Sequence, residues 1–176
     1  MAFSYYRQLT PRQKRVYRQS DGIASVLLPG DDRIGPRVAS VDRALRLEDR
    51  ERTEAACGEL LAVLSERLRV PPVRVTVLAK RPSRSWGELH GLYEPVEGRS
   101  PARITVWMRT AHRRQVVAFR TFLRTLLHEL GHHLDYELFK LADSFHTEGF
   151  FRRESSLLHQ LLRHSPNVGP DDNKRG

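Results

Sequence analysis

One cysteine, Cys57, stands among 176 residues, so the chain can close no internal disulfide and can build no C-x-x-C metal site. No apolar run approaches the roughly 18 residues that a membrane span needs. The first ten residues are polar and aromatic and carry no apolar stretch of the kind that marks a secretion signal. A soluble cytoplasmic protein with no membrane partner is therefore the expectation. Lysine is scarce too: Lys14, Lys80, Lys140 and Lys174 are the four lysines among 30 basic side chains. The formal charge of +9 is thus an arginine charge, and it is spread evenly, with ten basic residues in each of 1–50, 51–110 and 111–176. A nucleic-acid footprint is a patch or a stripe, so nucleic acid is a possible partner but not the favoured one. The densest cluster, Arg12, Lys14, Arg15 and Arg18 around Tyr17, reads first as a solvated helix face and second as a base-stacking surface.

What the chain does have is histidine, and in one half. Of eight histidines only His90 precedes residue 112. The length suits one ordinary domain, long enough to bury a core unaided. Thr10 before Pro11 marks a helix start for a basic helix over about 5–20. Residues 29–40, with two prolines and two glycines, read as a loop. Leu45, Ala56, Leu60, Leu61, Leu64 and Leu68 recur at three- and four-residue steps, which predicts a helix over 41–69 closed by Pro71-Pro72. Alternation at Val73, Val75 and Val77, and again at Ile104, Val106 and Met108, predicts two strands with one buried face, with a further strand over 87–93. Apolar stripes then predict helices over 113–141 and 150–163.

The chemistry lies in His128-Glu129-Leu130-Gly131-His132, an H-E-x-x-H in the middle of a predicted helix. Residues four apart sit one turn apart on one face, so two imidazoles can hold one ion. Glu129 is rotated about 100° from His128; it is poorly placed as a ligand but can reach a water on the metal and act as its base. Catalytic zinc wants three protein ligands and an open position. Asp135 shares the histidine face, but about 10.5 Å of helix axis separates it from His128, so it is expected to orient a ligand or the following turn. Glu154 falls in the apolar stripe formed by residues 150, 151, 157, 158, 161 and 162, where a carboxylate is costly unless partnered. A metal is one partner; Arg120 or Arg124 is the other. His146 competes with Glu154 as third ligand and otherwise is a candidate to stabilise an oxyanion, as is Tyr136, with His112 and His133 behind them. His133 itself reads as a partly exposed helix residue.

The stretch T-L-L-H-E-L-G-H-H-L-D, residues 125–135, resembles the active-site helix of zincin (HExxH) zinc metallopeptidases. Glu154, 22 residues after His132, is similar in placement to the third ligand of the gluzincin branch, whose glutamate comes from the next helix. The metzincin pattern would need Gly at 135 and a ligand at 138, where Asp135 and Leu138 stand, and Leu158 occupies a position that is acidic in the thermolysin type. The resemblance covers about residues 103–160. It implies a minimal gluzincin-like peptidase cleaving peptide or protein substrates, with an α+β fold of a small, mostly antiparallel sheet packed on an active-site helix and a ligand helix. It implies Zn2+ held by His128, His132 and Glu154, and catalysis by Glu129 with His146. It further implies a sheet-edge strand that pairs with extended substrate, for which Arg103–Arg109 is the candidate. On this reading residues 1–50 form a basic N-terminal extension that could cover the cleft, 51–164 the metallopeptidase domain and 165–176 a disordered tail. Two rivals remain: a DNA-associated SprT-like protease, which His146 as third ligand would favour, and a non-catalytic zincin-fold binding protein.

Overall fold

The computed structural model describes residues 3–80, 82–84, 87–88, 90–110 and 115–165. Residues 166–176 of the tail expected over 165–176, together with His112, Leu89 and the first residues of the helix expected over 113–141, lie outside them.

A 3-10 turn over Ser4–Gln8 precedes α1 (Pro11–Asp21), whose start is the one expected. Thr10 accepts from the Gln13 amide, and the Gln13 side chain answers to the Thr10 backbone. The loop expected over 29–40 stops earlier, because α2 runs over Ile34–Arg46 with Pro36 in its first turn, where the missing N–H costs nothing. The single helix expected over 41–69 is in fact two. Glu48 takes a left-handed φ of 56°, and Asp49 then caps a new helix, α3 (Arg50–Leu68), by accepting from the Arg52 amide. α3 closes on a left-handed Arg69, just ahead of the two prolines.

The strands are β1 (Arg74–Lys80), β2 (Ser83–Arg84), β3 (Gly87–Glu88), β4 (Gly91–Glu94) and β5 (Arg103–Arg109). β2 and β3 form a small antiparallel pair of their own. The main sheet has the order β1-β5-β4, with β1 parallel and β4 antiparallel to β5. It is mixed, where a mostly antiparallel sheet was expected. β5 is its central strand, not its edge, and Thr105 and Trp107 are buried along with Ile104, Val106 and Met108. Alternation in sequence does not reveal whether the second face of a strand is covered as well, and in β5 both sets of side chains are buried.

The last two helices among the described residues are α4 (Phe119–Glu137) and α5 (Glu148–Arg163), which pack on each other. α4 also packs on β4 and β5, and α3 on β1 and α2. Residues 34–46, placed by sequence in an N-terminal extension, contribute Ile34, Val38, Val41 and Leu45 to the same core as Leu60, Leu64, Leu126 and Leu157. Each such side chain contributes about 1.5–3 kcal/mol on full burial, so α2 is part of the domain. No helix among the described residues is long and apolar enough to cross a membrane.

Candidate metal centre

α4 buries Phe122, Leu123, Leu126, Leu127, Leu130 and Leu134 and turns His128 and His132 toward a cavity of about 760 Å³. Beneath the two imidazoles lies the buried ring of Phe150, with centroids at 5.0 and 4.8 Å. The irregular stretch between α4 and α5 brings His146 to the same point. His146 Nε2 is 2.9 Å from His128 Nε2 and 3.1 Å from His132 Nε2. One nitrogen from each of the three rings lies within 4.8 Å of the others, a group that could hold a metal ion.

Glu154, expected as the third ligand, is not among them. It is buried as its place in the apolar stripe predicts, but its Oε2 meets Nδ1 of His128 at 2.8 Å, on the far side of the ring, and its Oε1 accepts from Arg124 at 2.7 Å. The alternative partner named for it, an arginine, is the one it has. Asp135 plays the orienting part expected of it. Its Oδ2 accepts from Ser144 Oγ at 2.7 Å, and the same Oγ lies 2.7 Å from His132 Nδ1. Since Ser144 gives its proton to Asp135, it must accept from His132, so Nδ1 of that ring carries the hydrogen. Glu154 imposes the same tautomer on His128. Both Nε2 atoms are then left as lone pairs facing His146. Lone pairs about 3 Å apart repel unless a cation or a proton lies between them. Nitrogens at about 2.0–2.1 Å from a tetrahedral ion are roughly 3.3 Å apart, close to the 2.9 and 3.1 Å that separate His146 from the other two. The donor chemistry thus fits a metal.

Electrostatics favour the same state. Burial, reinforced by His128 and His146, pushes His132 down to about 3, and burial also lowers His146, so these rings stay neutral and able to donate. Glu129 faces the same cavity. Its burial pushes its carboxyl up to about 7; His128 works against that rise and Glu154 with it. It lies hard against β4, because a Cβ on Gly91 would come 2.3 Å from Glu129 Oε1 and only glycine leaves the space.

The cavity is lined by residues from 90 to 154 and by none from 3–80, so the N-terminal residues described do not cover the cleft. Its strand wall is β4, the sheet edge, with Gly91, Leu92 and Tyr93. Tyr136 also lines it. His133, expected to be partly exposed, is fully buried; it donates from Nε2 to the Pro71 carbonyl at 2.8 Å and accepts from the Tyr93 hydroxyl at 3.1 Å. Ser144, Tyr93 and Gly91 were not singled out by sequence. A polar residue in a turn and a glycine in a strand are common, and only the fold places these beside the histidines.

Comparison with family models, with curated proteins and with solved structures finds no match to this chain.

Proposed function

We propose that the protein is a zinc-dependent hydrolase that cleaves peptide bonds, with His128, His132 and His146 as ligands and Glu129 as base. The observation that carries this reading is the convergence of three imidazole nitrogens on one cavity that also holds a buried carboxylate with a raised pKa. Three imidazoles leave one position of a tetrahedral ion open, which is the pattern of catalytic rather than structural zinc. Zinc bound there supplies a Lewis acid that makes a water easier to deprotonate. The chain's own residues do the rest. Glu154 and Ser144 hold the Nδ1 hydrogens and thereby aim both Nε2 atoms into the cavity. Glu129 takes the proton of the attacking water at a carboxylate oxygen and passes it to the leaving amine, a task suited by a pKa near working pH. Tyr136 is the hydroxyl available to an oxyanion. Substrate in extended form adds to the outer edge of β4, which has no partner strand among the described residues and takes over the role expected of β5.

The deciding experiment is Glu129→Gln. Metal content after reconstitution should stay at one zinc per chain while hydrolysis of a denatured protein substrate disappears. Wild-type cleavage by the variant would sink the mechanism. With His146 rather than Glu154 in third place, the gluzincin assignment loses its distinguishing residue, and the DNA-associated reading gains. That second reading requires DNA affinity that falls steeply with salt; salt-independent or absent binding eliminates it.

A further inference from the structure

His146 comes from a segment with no regular structure. Residues 139–147 pass from the end of α4 to the Thr147 cap of α5. Such a ligand would be expected to wander, since fixing a residue outside regular structure costs backbone entropy. Its hydrogen bonds run in two directions. Toward the cleft, Ser144 joins His132 to Asp135. Away from the cleft, the partners belong to the first 23 residues. The Tyr5 hydroxyl donates to the carbonyl of His146 at 2.8 Å. Ser20 Oγ and Thr147 Oγ1, both buried, lie 3.4 Å apart. Asp21 Oδ1 accepts from the Gly149 amide at 3.0 Å, in the first turn of α5.

Arg153 ties the two directions together. It donates to the carbonyls of Ser20 and Ile23 at 2.6 Å each and to Asp135 Oδ1 at 2.8 Å. An unbroken chain therefore runs from His132 Nδ1 through Ser144, Asp135 and Arg153 to the end of α1, where helix carbonyls lack internal donors. The contact is close. A Cβ on Gly149 would stand 2.4 Å from the Asp21 carbonyl oxygen and 2.6 Å from that of Ser20.

We propose that residues 3–23 are a positioning element of the metal centre, with Tyr5 and Asp21 acting through the 144–149 segment to hold His146 against the other two histidines. This rests on the reading of those histidines as metal ligands. The N-terminal segment does not plug the site; it preorganises the ligand that the active-site helix cannot supply.

The test is cobalt(II) titration of the full chain, followed by its visible ligand-field bands. Tyr5→Phe keeps the ring that packs on Tyr17 at 6.0 Å and removes only the hydroxyl. It should weaken cobalt binding about 10-fold and alter the bands, the scale of an outer-shell loss, while the melting temperature of the metal-free protein stays within about 2 °C. In a His146→Ala background the same substitution should change nothing further, because its route runs through His146. Gly149→Ala, which helix propensity alone would favour, should weaken cobalt binding by wedging α5 from α1. Wild-type affinity and bands in both variants overturn the proposal, as does a Tyr5→Phe loss that persists without His146. If the wild-type chain takes up no cobalt, the metal reading itself fails and the proposal with it.

Discussion

His128 and His132 stand one turn apart on α4 and are backed in two different ways. Behind His128, Glu154 is 5% exposed, but its partner Arg124 is 47% exposed and sits in water. Behind His132, Ser144 leads to Asp135 at 0% and Arg153 at 4%, an ion pair closed off from solvent. Both arrangements give Nδ1–H an acceptor, which is all that a ligand histidine asks. They differ in what else depends on them. The outer arm joins only α4 and α5. The inner arm also joins α4, α5 and the end of α1 through Arg153, so binding geometry and fold stability share the same atoms there.

The largest effect should come from breaking the inner arm. Arg153→Met leaves Asp135 charged, buried and unpaired and strips donors from two carbonyls. Loss of one member of a buried pair costs about 3–5 kcal/mol, readable by urea denaturation of the metal-free protein. Adding Asp135→Leu should recover part of that loss. If Arg153→Met unfolds at the wild-type midpoint, the inner arm bears no more of the fold than the outer one and the comparison collapses.

Removing the acceptors separates affinity from stability. Glu154→Ala and Ser144→Ala each leave an Nδ1–H without its partner, and each should weaken zinc binding about 10–100-fold. Only Ser144→Ala also deprives a fully buried carboxylate of a donor, so it alone should cost a further 1–3 kcal/mol or so in the metal-free protein. Competition with a chromophoric chelator and denaturant midpoints on the same samples measure both.

These two arms were unequally legible in the sequence. The histidine pair follows from residues four apart on an amphipathic helix, and the burial of Glu154 from its place in the stripe of α5. Both are local periodicities, and both hold. The atom that Glu154 meets does not follow, because a stripe gives a direction and not a partner. His146 was a rival rather than a choice because its path is set by Tyr5, Asp21 and the Ser144 link, contacts across more than a hundred residues in the first two cases. The centrality of β5 was hidden for the same reason. Strand order is a non-local property, and a parallel pairing of β1 with β5 leaves no mark in either strand. The break between α2 and α3, by contrast, was readable in Asp49, a residue suited to a helix start.

Acidity sharpens the contrast further. In the metal-free protein His132 is held at about 3, against 6.5 when unfolded, so the unfolded chain binds the extra proton and stability falls as pH drops below 6.5. Glu129 has the opposite sign. Raised to about 7 from 4.5, it keeps a proton that the unfolded chain loses, so its contribution is full below 4.5 and is lost as pH climbs to 7. Glu129→Gln removes that loss. Between pH 4.5 and 7 the variant should gain on wild type by about 1–3 kcal/mol, as followed by unfolding in the presence of chelator. A parallel pair of curves would mean that Glu129 is not held protonated by the fold.

The smallest effect is the one that tests whether the outer arm is as independent as it looks. Arg124→Gln removes a half-exposed cation from Glu154 and leaves the 2.8 Å contact to His128 in place. An ion pair with one partner in water contributes about 0.2–1 kcal/mol and is screened by salt. Stability should therefore shift by less than about 1 kcal/mol, and the shift should shrink between low and high ionic strength. Zinc affinity should fall by no more than about threefold, because the acceptor that aims His128 is untouched. A loss on the scale expected of Arg153→Met would mean that Glu154 needs its cation as much as Asp135 does. Solvent exposure of the partner would then not be what distinguishes the two sides of the site.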